Sequence, residues 1–201
     1  VYNSLLFSSD KNISIYEDFK KYNLGYCYFQ TAEYSSAVKW FRLYEKVASD
    51  SLKIIDNYLR IADSYFMLNE FSLAAKYYEK VAKFNFFDID YALYQYSVSL
   101  GLIGKDALKI EVLKKIILNF SSSSYFAKAL YDLARHYKNI SSYDLAIEYY
   151  SDLISFTSDE NLIADSYLSR GMMYFNTSKT EQAIEEFLFV VNNYQQTKYF
   201  K

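Results

Sequence analysis

Apolar residues recur at three- and four-residue steps along most of the chain, which is the spacing of one face of an α-helix. In the segment 143–156 this face holds Ala146, Tyr149, Tyr150, Leu153 and Ile154. Short polar clusters interrupt the periodicity, and Ser49-Asp50-Ser51 and Ser158-Asp159 supply residues of the type that caps helix N-termini. The pattern predicts ten helices, near 15–30, 33–48, 51–68, 71–84, 88–103, 106–119, 123–139, 142–156, 159–176 and 179–194.

The helices belong to an internal repeat. Five similar five-residue segments have their second members at 25, 62, 98, 134 and 171, which are 37, 36, 36 and 37 residues apart. In four of them Tyr stands three residues after Gly or Ala. Four repeats then place Ala twelve residues later and an aromatic four residues beyond it, at Phe41, Tyr78, Tyr150 and Phe187.

Each repeat is interpreted as a hairpin of two helices, helix A and helix B. The small residues let the two helices approach closely, and the large rings are expected to fill the gap between neighbouring hairpins. A single hairpin would leave one apolar face exposed, so the hairpins are expected to stack.

The third repeat departs from this pattern. Gly101 stands where Tyr is expected, Lys109 or Ile110 replaces the small residue of helix B, and the connection 103–106 is expected to be one residue shorter. These changes predict looser packing of the third hairpin and a bend in the array there.

The arrangement Leu24-Gly25-x-x-Tyr28, then Ala37, then Phe41 resembles the tetratricopeptide repeat, over roughly 18–194. The resemblance implies an all-α fold, a right-handed superhelix of about five helical hairpins. The expected organisation is an N-terminal lead-in, a repeat array over 15–194, and the start of a truncated repeat or linker. The corresponding ranges are 1–14, then units near 15–48, 51–84, 88–119, 123–156 and 159–194, then 195–201.

Two linkers carry a narrower resemblance. Residues 119–134 and 193–199 resemble the linkers of bacterial envelope proteins, namely the outer-membrane assembly lipoprotein of the barrel-insertion machinery and the Tol-Pal coordinator of cell division. Ser121 and Gln195 stand where those families carry proline. This resemblance implies a periplasmic or outer-membrane-associated protein with envelope partners, and a cytoplasmic location is the alternative.

Composition and charge argue against other classes of function. The chain has no Pro and 4 Gly among 201 residues, and 22 Lys and Arg against 24 Asp and Glu give a net charge of −2. Nucleic acid is therefore not expected as a partner, because phosphate backbones need a concentrated basic surface. No apolar stretch reaches the length of a membrane span.

The residues that could carry chemistry are isolated. His136 and Cys27 are the single residues of their types, and both are expected to pack near neighbouring tyrosines, Cys27 as a small buried hydrophobe. We therefore expect no catalytic site, no metal site, no cofactor and no enzymatic activity.

The resemblance assigns partner binding to the concave face, which helix A lines. Counting positions places Asp56, Lys128 and Asp165 there, with a basic cluster in the fourth repeat. The alternative is that Phe29, Phe66 and Phe175 pack within or between hairpins. The residues predicted to bind the partner are Tyr22, Tyr26, Phe29, Asp63, Phe66, Gln95, Ser99, Tyr131, Arg135, Lys138, Asn139, Met172 and Phe175.

The leading expectation is a non-enzymatic scaffold that holds a segment of another protein, an envelope protein, in this groove. One alternative is a targeting module for an enzymatic or wall-binding domain beyond residue 201. Another is self-association through the end of the fifth repeat.

Overall fold

A computed structural model describes residues 19–48, 51–84 and 89–198. The described residues form ten helices and no strand, as the periodicity predicts. Where both can be compared, predicted and observed helix ends differ by at most three residues. The helices are α1 at 19–30, α2 Tyr34–Glu45, α3 Ser51–Met67, α4 Phe71–Ala82, α5 Ile89–Leu102, α6 Asp106–Asn119, α7 Phe126–Asn139, α8 Tyr143–Phe156, α9 Glu160–Asn176 and α10 Thr180–Asn193.

The chain divides into two compact units, Val1–Val112 and Leu113–Lys201, with the boundary inside α6. In unit 1, α2 packs on α3, α3 on α4 and α4 on α5. In unit 2, α7 packs on α8, α8 on α9 and α9 on α10. Consecutive helices thus cover one another's apolar faces within each unit. The single tryptophan, Trp40, is half-buried on α2 in unit 1.

All five hairpins turn in the same way. The turn residue has a positive φ of about 60–70° in each hairpin, and its amide donates to a carbonyl three residues back. The next amide donates to a carbonyl five residues back, for example from Glu33 to Tyr28 at 2.8 Å. This is the Schellman motif that ends a helix with one left-handed residue. Only one of these residues is glycine; they are Ala32, Asn69, Gly104, Ser141 and Ser178.

The turns correct the predicted alignment of the third repeat. The Lys105 amide donates to the Leu100 carbonyl at 2.9 Å, as the Glu70 amide does to the Tyr65 carbonyl. Leu100, not Gly101, therefore stands at the tyrosine position, and it is buried. Ser97 takes the place of the small residue of helix A, and the turn 103–105 is as long as the others. The expectation of a shorter connection was wrong, because the repeat is shortened by two residues before the repeated segment: positions 62 and 97 are 35 apart, whereas 97 and 134 are 37 apart.

Small residues bring the helices of a hairpin together, as expected. A Cβ added at Gly25 would lie 2.6 Å from Phe41 Cδ1, and one at Gly171 would lie 2.5 Å from Phe187 Cε1. These two rings therefore lie against helix A of their own hairpin. Glycine leaves room for a ring on the inner side of helix A, and the Tyr78 ring at the same repeat position meets Tyr91 of the next hairpin edge-on at 6.4 Å, as expected.

The N-cap prediction is confirmed at α9. The Asp159 carboxylate accepts hydrogen bonds from the amides of Asn161 at 2.9 Å and Leu162 at 3.3 Å. Of the other predicted cap, Ser49 and Asp50 lie outside the described residues, and Ser51 is the first residue of α3.

Candidate functional site

In unit 1 the predicted site residues of α1 lie beside α3. The Tyr22 hydroxyl donates a short hydrogen bond to the Asp56 carboxylate, and its ring stacks on Tyr26 with 6.3 Å between centroids. Burial and the bond to Asp56 raise the pKa of Tyr22, which keeps the hydroxyl protonated as a donor. Tyr26 is 39% exposed. We call this surface of Tyr22, Tyr26, Phe29, Asp56, Arg60 and Phe66 the α1–α3 face.

Arg60 lies at the middle of the α1–α3 face. Its guanidinium pairs with Asp56 and with Asp63, each at 3.3 Å, and lies 5.6 Å from the Phe29 ring centroid. Arg60 was not among the predicted site residues. The acidic residues four positions before and three positions after Arg60 were the available signal, because side chains at those spacings meet on one helix face.

Asp63 lies inside the molecule rather than on the α1–α3 face. Its side chain is buried and accepts hydrogen bonds from the Tyr78 and Tyr91 hydroxyls, both at 2.8 Å. Burial raises the pKa of Asp63, while the two tyrosine bonds and Arg60 act in the opposite direction. Its carboxylate therefore joins α3, α4 and α5 and is not presented to a partner.

The positions predicted in α5 shift with the corrected alignment. Ser99 is fully buried and its hydroxyl donates to the Gln95 carbonyl at 2.8 Å, so placing it on a partner-binding surface was wrong. Gln95 is half-buried. The residues equivalent to Tyr22, Tyr26 and Phe29 are instead Tyr94, Val98 and Gly101, all partly exposed.

In unit 2 the predicted residues of α7 are tied to α9. The Tyr131 hydroxyl donates to Asp165 at 2.8 Å, and Lys138 Nζ donates to Ser169 Oγ at 3.1 Å. Burial and the bond to Asp165 raise the pKa of Tyr131 to about 12. Arg135 is exposed, with its guanidinium 5.6 Å from the Tyr131 ring centroid.

The same surface presents apolar side chains to solvent. Met172 and Phe175 on α9 are 52% and 60% exposed, and Asn139 at the end of α7 is exposed as well. Phe175 is therefore not packed inside its hairpin. Phe29 and Phe66 are half-buried and meet Tyr34 and Phe71 edge-on at 5.7 Å and 5.4 Å. The α7–α9 face consists of Tyr131, Arg135, Lys138, Asn139, Met172 and Phe175.

The two isolated reactive residues, Cys27 and His136, differ in whether the structure agrees with their predicted environment. Cys27 is exposed, so the expectation of a buried thiol was wrong; in α1 that side of the helix meets no hairpin within the described residues. His136 packs edge-on against Tyr137 at 5.4 Å, as expected. Among residues 19–48, 51–84 and 89–198, no three His, Cys, Asp or Glu side chains group as metal ligands would.

The comparisons with known proteins agree with this geometry. Residues 21–50 and 56–84 match models of the tetratricopeptide repeat. The crystal structure of a MamA protein superposes with a TM-score of 0.71 at 19% identity, covering 90% of this chain and 94% of that one. The fold is a tetratricopeptide-repeat fold. A search of curated proteins found no match.

Two further tetratricopeptide structures share this fold. MamA residues 41 to the end from Desulfovibrio magneticus give a TM-score of 0.67 at 16% identity, covering 90% of this chain and 97% of that one. YrrB, described as a repeat protein with an unusual peptide-binding site, gives 0.65 at 16% identity, covering 88% and 87%. Within the described part of the chain, no helix has both the length and the apolarity to cross a membrane.

Proposed function

We propose that this protein is a non-enzymatic scaffold that binds a segment of another protein on the α7–α9 face, with the α1–α3 face as a second binding surface. The tetratricopeptide fold supports protein–protein interaction as the general function. We choose this surface because Met172 and Phe175 are exposed on it, and because two hydrogen bonds join its two helices, α7 and α9.

The rigidity of the α7–α9 face favours binding. Tyr131 and Lys138 are held by Asp165 and Ser169 on the neighbouring helix, so the surface is ordered before a partner arrives. Preorganisation lowers the entropy that binding must overcome. Exposed aromatic and Arg side chains are also the types that dominate binding energy at protein interfaces.

The side chains of this face define the chemistry of its partner segment. Met172 and Phe175 present an apolar surface on α9, whereas Arg135 and Lys138 make the neighbouring part of α7 positively charged. A segment that places an apolar residue next to an acidic one would satisfy both. The YrrB structure supports this proposal to the extent that a related fold binds a peptide.

We further propose an envelope location, periplasmic or at the outer membrane. It rests on the likeness of the linkers at 119–134 and 193–199 to those of envelope scaffolds. Their backbones turn alike: the Ser123 amide donates to the Phe120 carbonyl at 3.0 Å, and the Thr197 amide donates to the Tyr194 carbonyl at 3.1 Å. Cell fractionation with compartment markers tests the location, and a purely cytoplasmic protein would contradict it.

Site-specific photo-crosslinking in cells tests the binding surface. A photoreactive amino acid at position 172 is expected to trap a partner, whereas one at exposed Lys39 on α2 is not. With that partner purified, Arg135→Glu combined with Phe175→Ser should weaken binding by at least about tenfold, since each exposed contact contributes on the order of 1 kcal/mol.

The matched control is Lys39→Glu combined with Leu118→Ser, which makes the same types of change at exposed positions elsewhere. Circular dichroism should be unchanged in both pairs, because none of these side chains is buried. Equal affinity of the two double variants for the crosslinked partner would overturn the assignment of the α7–α9 face.

A further inference from the structure

The same two positions of the repeat face each other at the α4–α5 and α8–α9 junctions between hairpins. One is the residue five places after the small residue of helix B, and the other is the residue just before the small residue of helix A in the next hairpin. Ser151 and Arg170 occupy these positions in α8 and α9, and Arg170 Nη1 donates to Ser151 Oγ at 2.9 Å. In α4 and α5 they are Glu79 and Tyr96, where burial and the Glu79 charge raise the pKa of Tyr96.

The last helix exposes its half of this interface. Leu188 of α10 stands at the position of Ser151 and is 52% exposed, and Ile184, one turn earlier, is 51% exposed. At the position of Ile184, α2 and α4 carry Val38 and Ala75, which are only 8% and 4% exposed. The outer side of α10 is therefore an apolar stripe, whose Ile184 position is buried in α2 and α4, whereas its Leu188 position holds the exposed charges Arg42 in α2 and Lys114 in α6.

The first helix exposes the other half. Leu24 of α1 stands at the position of Arg170 and is 39% exposed, whereas Ile61 and Leu133 at that position are fully buried. Cys27, three residues on, is also exposed, although Met173 at the same place in α9 is 1% exposed. The outer side of α1 thus presents the surface that interior helices bury.

The two ends differ in charge. Residues 19–48 carry five basic and two acidic side chains, with Lys39 and Arg42 on α2 and Lys46 directly after it. Residues 159–198 carry six acidic and three basic side chains, with Glu181 and Glu185 on the first half of α10. Opposite charge favours bringing these two ends together and disfavours pairing either end with itself.

From these observations we propose that the outer side of α10 in one molecule docks on the outer side of α1 in a second copy of the chain. Leu188 meets Leu24 at the place where Ser151 meets Arg170 inside the repeat array. The contact uses two different surfaces, which makes it heterologous: a bound pair leaves one α1 side on one copy and one α10 side on the other open to further association. Leu24 and Leu188 are not residues of the α7–α9 face.

Disulfide trapping tests the pairing directly, because the chain has one cysteine to remove. Two single-cysteine chains are made in a Cys27→Ser background, one with Leu24→Cys and one with Leu188→Cys. Mixing them under mild oxidation should give the mixed disulfide as the main product, with little product from either chain alone. Dimers of the Leu188→Cys chain by itself would indicate a symmetric α10 contact and overturn the proposal.

Sedimentation velocity tests the association without cysteines. The average mass of the unmodified chain should rise above the 23.7 kDa monomer with concentration. Leu188→Glu should abolish the rise, whereas Leu118→Glu, a matched change at an 83% exposed leucine, should not. A monomer at all concentrations, or equal behaviour of the two variants, contradicts the proposal.

Discussion

Ala32 shows how much a single residue contributes to the hairpin turn. Its φ of 60° is a conformation that an alanine side chain adopts at a cost of about 1–2 kcal/mol. Ala32 is exposed, so removing its methyl group sacrifices little packing. Ala32→Gly should therefore raise the free energy of unfolding by about 0.5–1 kcal/mol, after allowing for the larger entropy of glycine in the unfolded chain. Urea unfolding measures the change.

Two other turns provide controls for this effect. Gly104→Ala should be destabilising by a similar amount, since an added Cβ there meets no atom within 4 Å and backbone strain alone acts. Asn69→Gly should change stability less than Ala32→Gly, because Asn tolerates the left-handed region. If Ala32→Gly lowered stability as Gly104→Ala does, strain at the turn would not be the cause.

Among elements, the Asp63 carboxylate links three helices through Tyr78, Tyr91 and Arg60. Because burial raises its pKa in the folded state, the folded protein binds a proton at Asp63 more readily than the unfolded chain does. The stability that Asp63 contributes is therefore complete below its unfolded pKa of about 4 and falls as the pH rises through the raised folded pKa.

Comparison with Asp63→Asn isolates this contribution. The free energy of unfolding of the natural protein, minus that of the variant, should decrease as the pH rises above the unfolded pKa of about 4. Asp152→Asn provides the matched control, because it makes the same change at an exposed position of α8. A difference that grows with pH would mean that Asp63 behaves as an ordinary ion-paired carboxylate.

The helices were predictable from the sequence because their apolar spacing and polar breaks are local. The alignment of the third repeat was not, because Val98 and Gly101 gave a plausible match one residue away from the true one. The left-handed turn residue Gly104 and the backbone bond from Lys105 to Leu100 distinguish the two alignments. That single shift moved the predicted surface from Tyr94 and Val98 to Gln95 and Ser99.

The site was less predictable than the fold for a physical reason. Counting positions identifies a helix face but not whether a polar side chain there finds a partner within the protein. The buried Asp63 carboxylate accepts hydrogen bonds from two tyrosine hydroxyls, one of them 28 residues away in sequence. Arg135, Met172 and Phe175 lie exposed, as counting positions predicts.

At the scale of the whole molecule, the division at α6 predicts that the two units unfold separately. Trp40 is the single tryptophan and reports unit 1, whereas circular dichroism reports the helices of both units. Leu153→Ala in unit 2 should cost about 2–5 kcal/mol through the cavity it leaves. It should lower the urea midpoint seen by circular dichroism while leaving the Trp40 fluorescence midpoint nearly unchanged.

Ile61→Ala is the matched change in unit 1, at an equally buried position. It should shift the fluorescence transition directly. Coupling between repeats is strongest between neighbours, so a defect in one unit reaches distant hairpins weakly. If both variants moved both signals equally, the chain would unfold as one cooperative body.

The exposure of Cys27 also makes this protein chemically addressable. As the single thiol of the chain, it would accept one maleimide-linked dye or surface tether at a known place on α1. Molecules tethered there would all be attached through the same residue of unit 1, and the α7–α9 face in unit 2 would carry no label. Such a tether would occupy the surface proposed for self-association, so partner binding could be measured on isolated single copies.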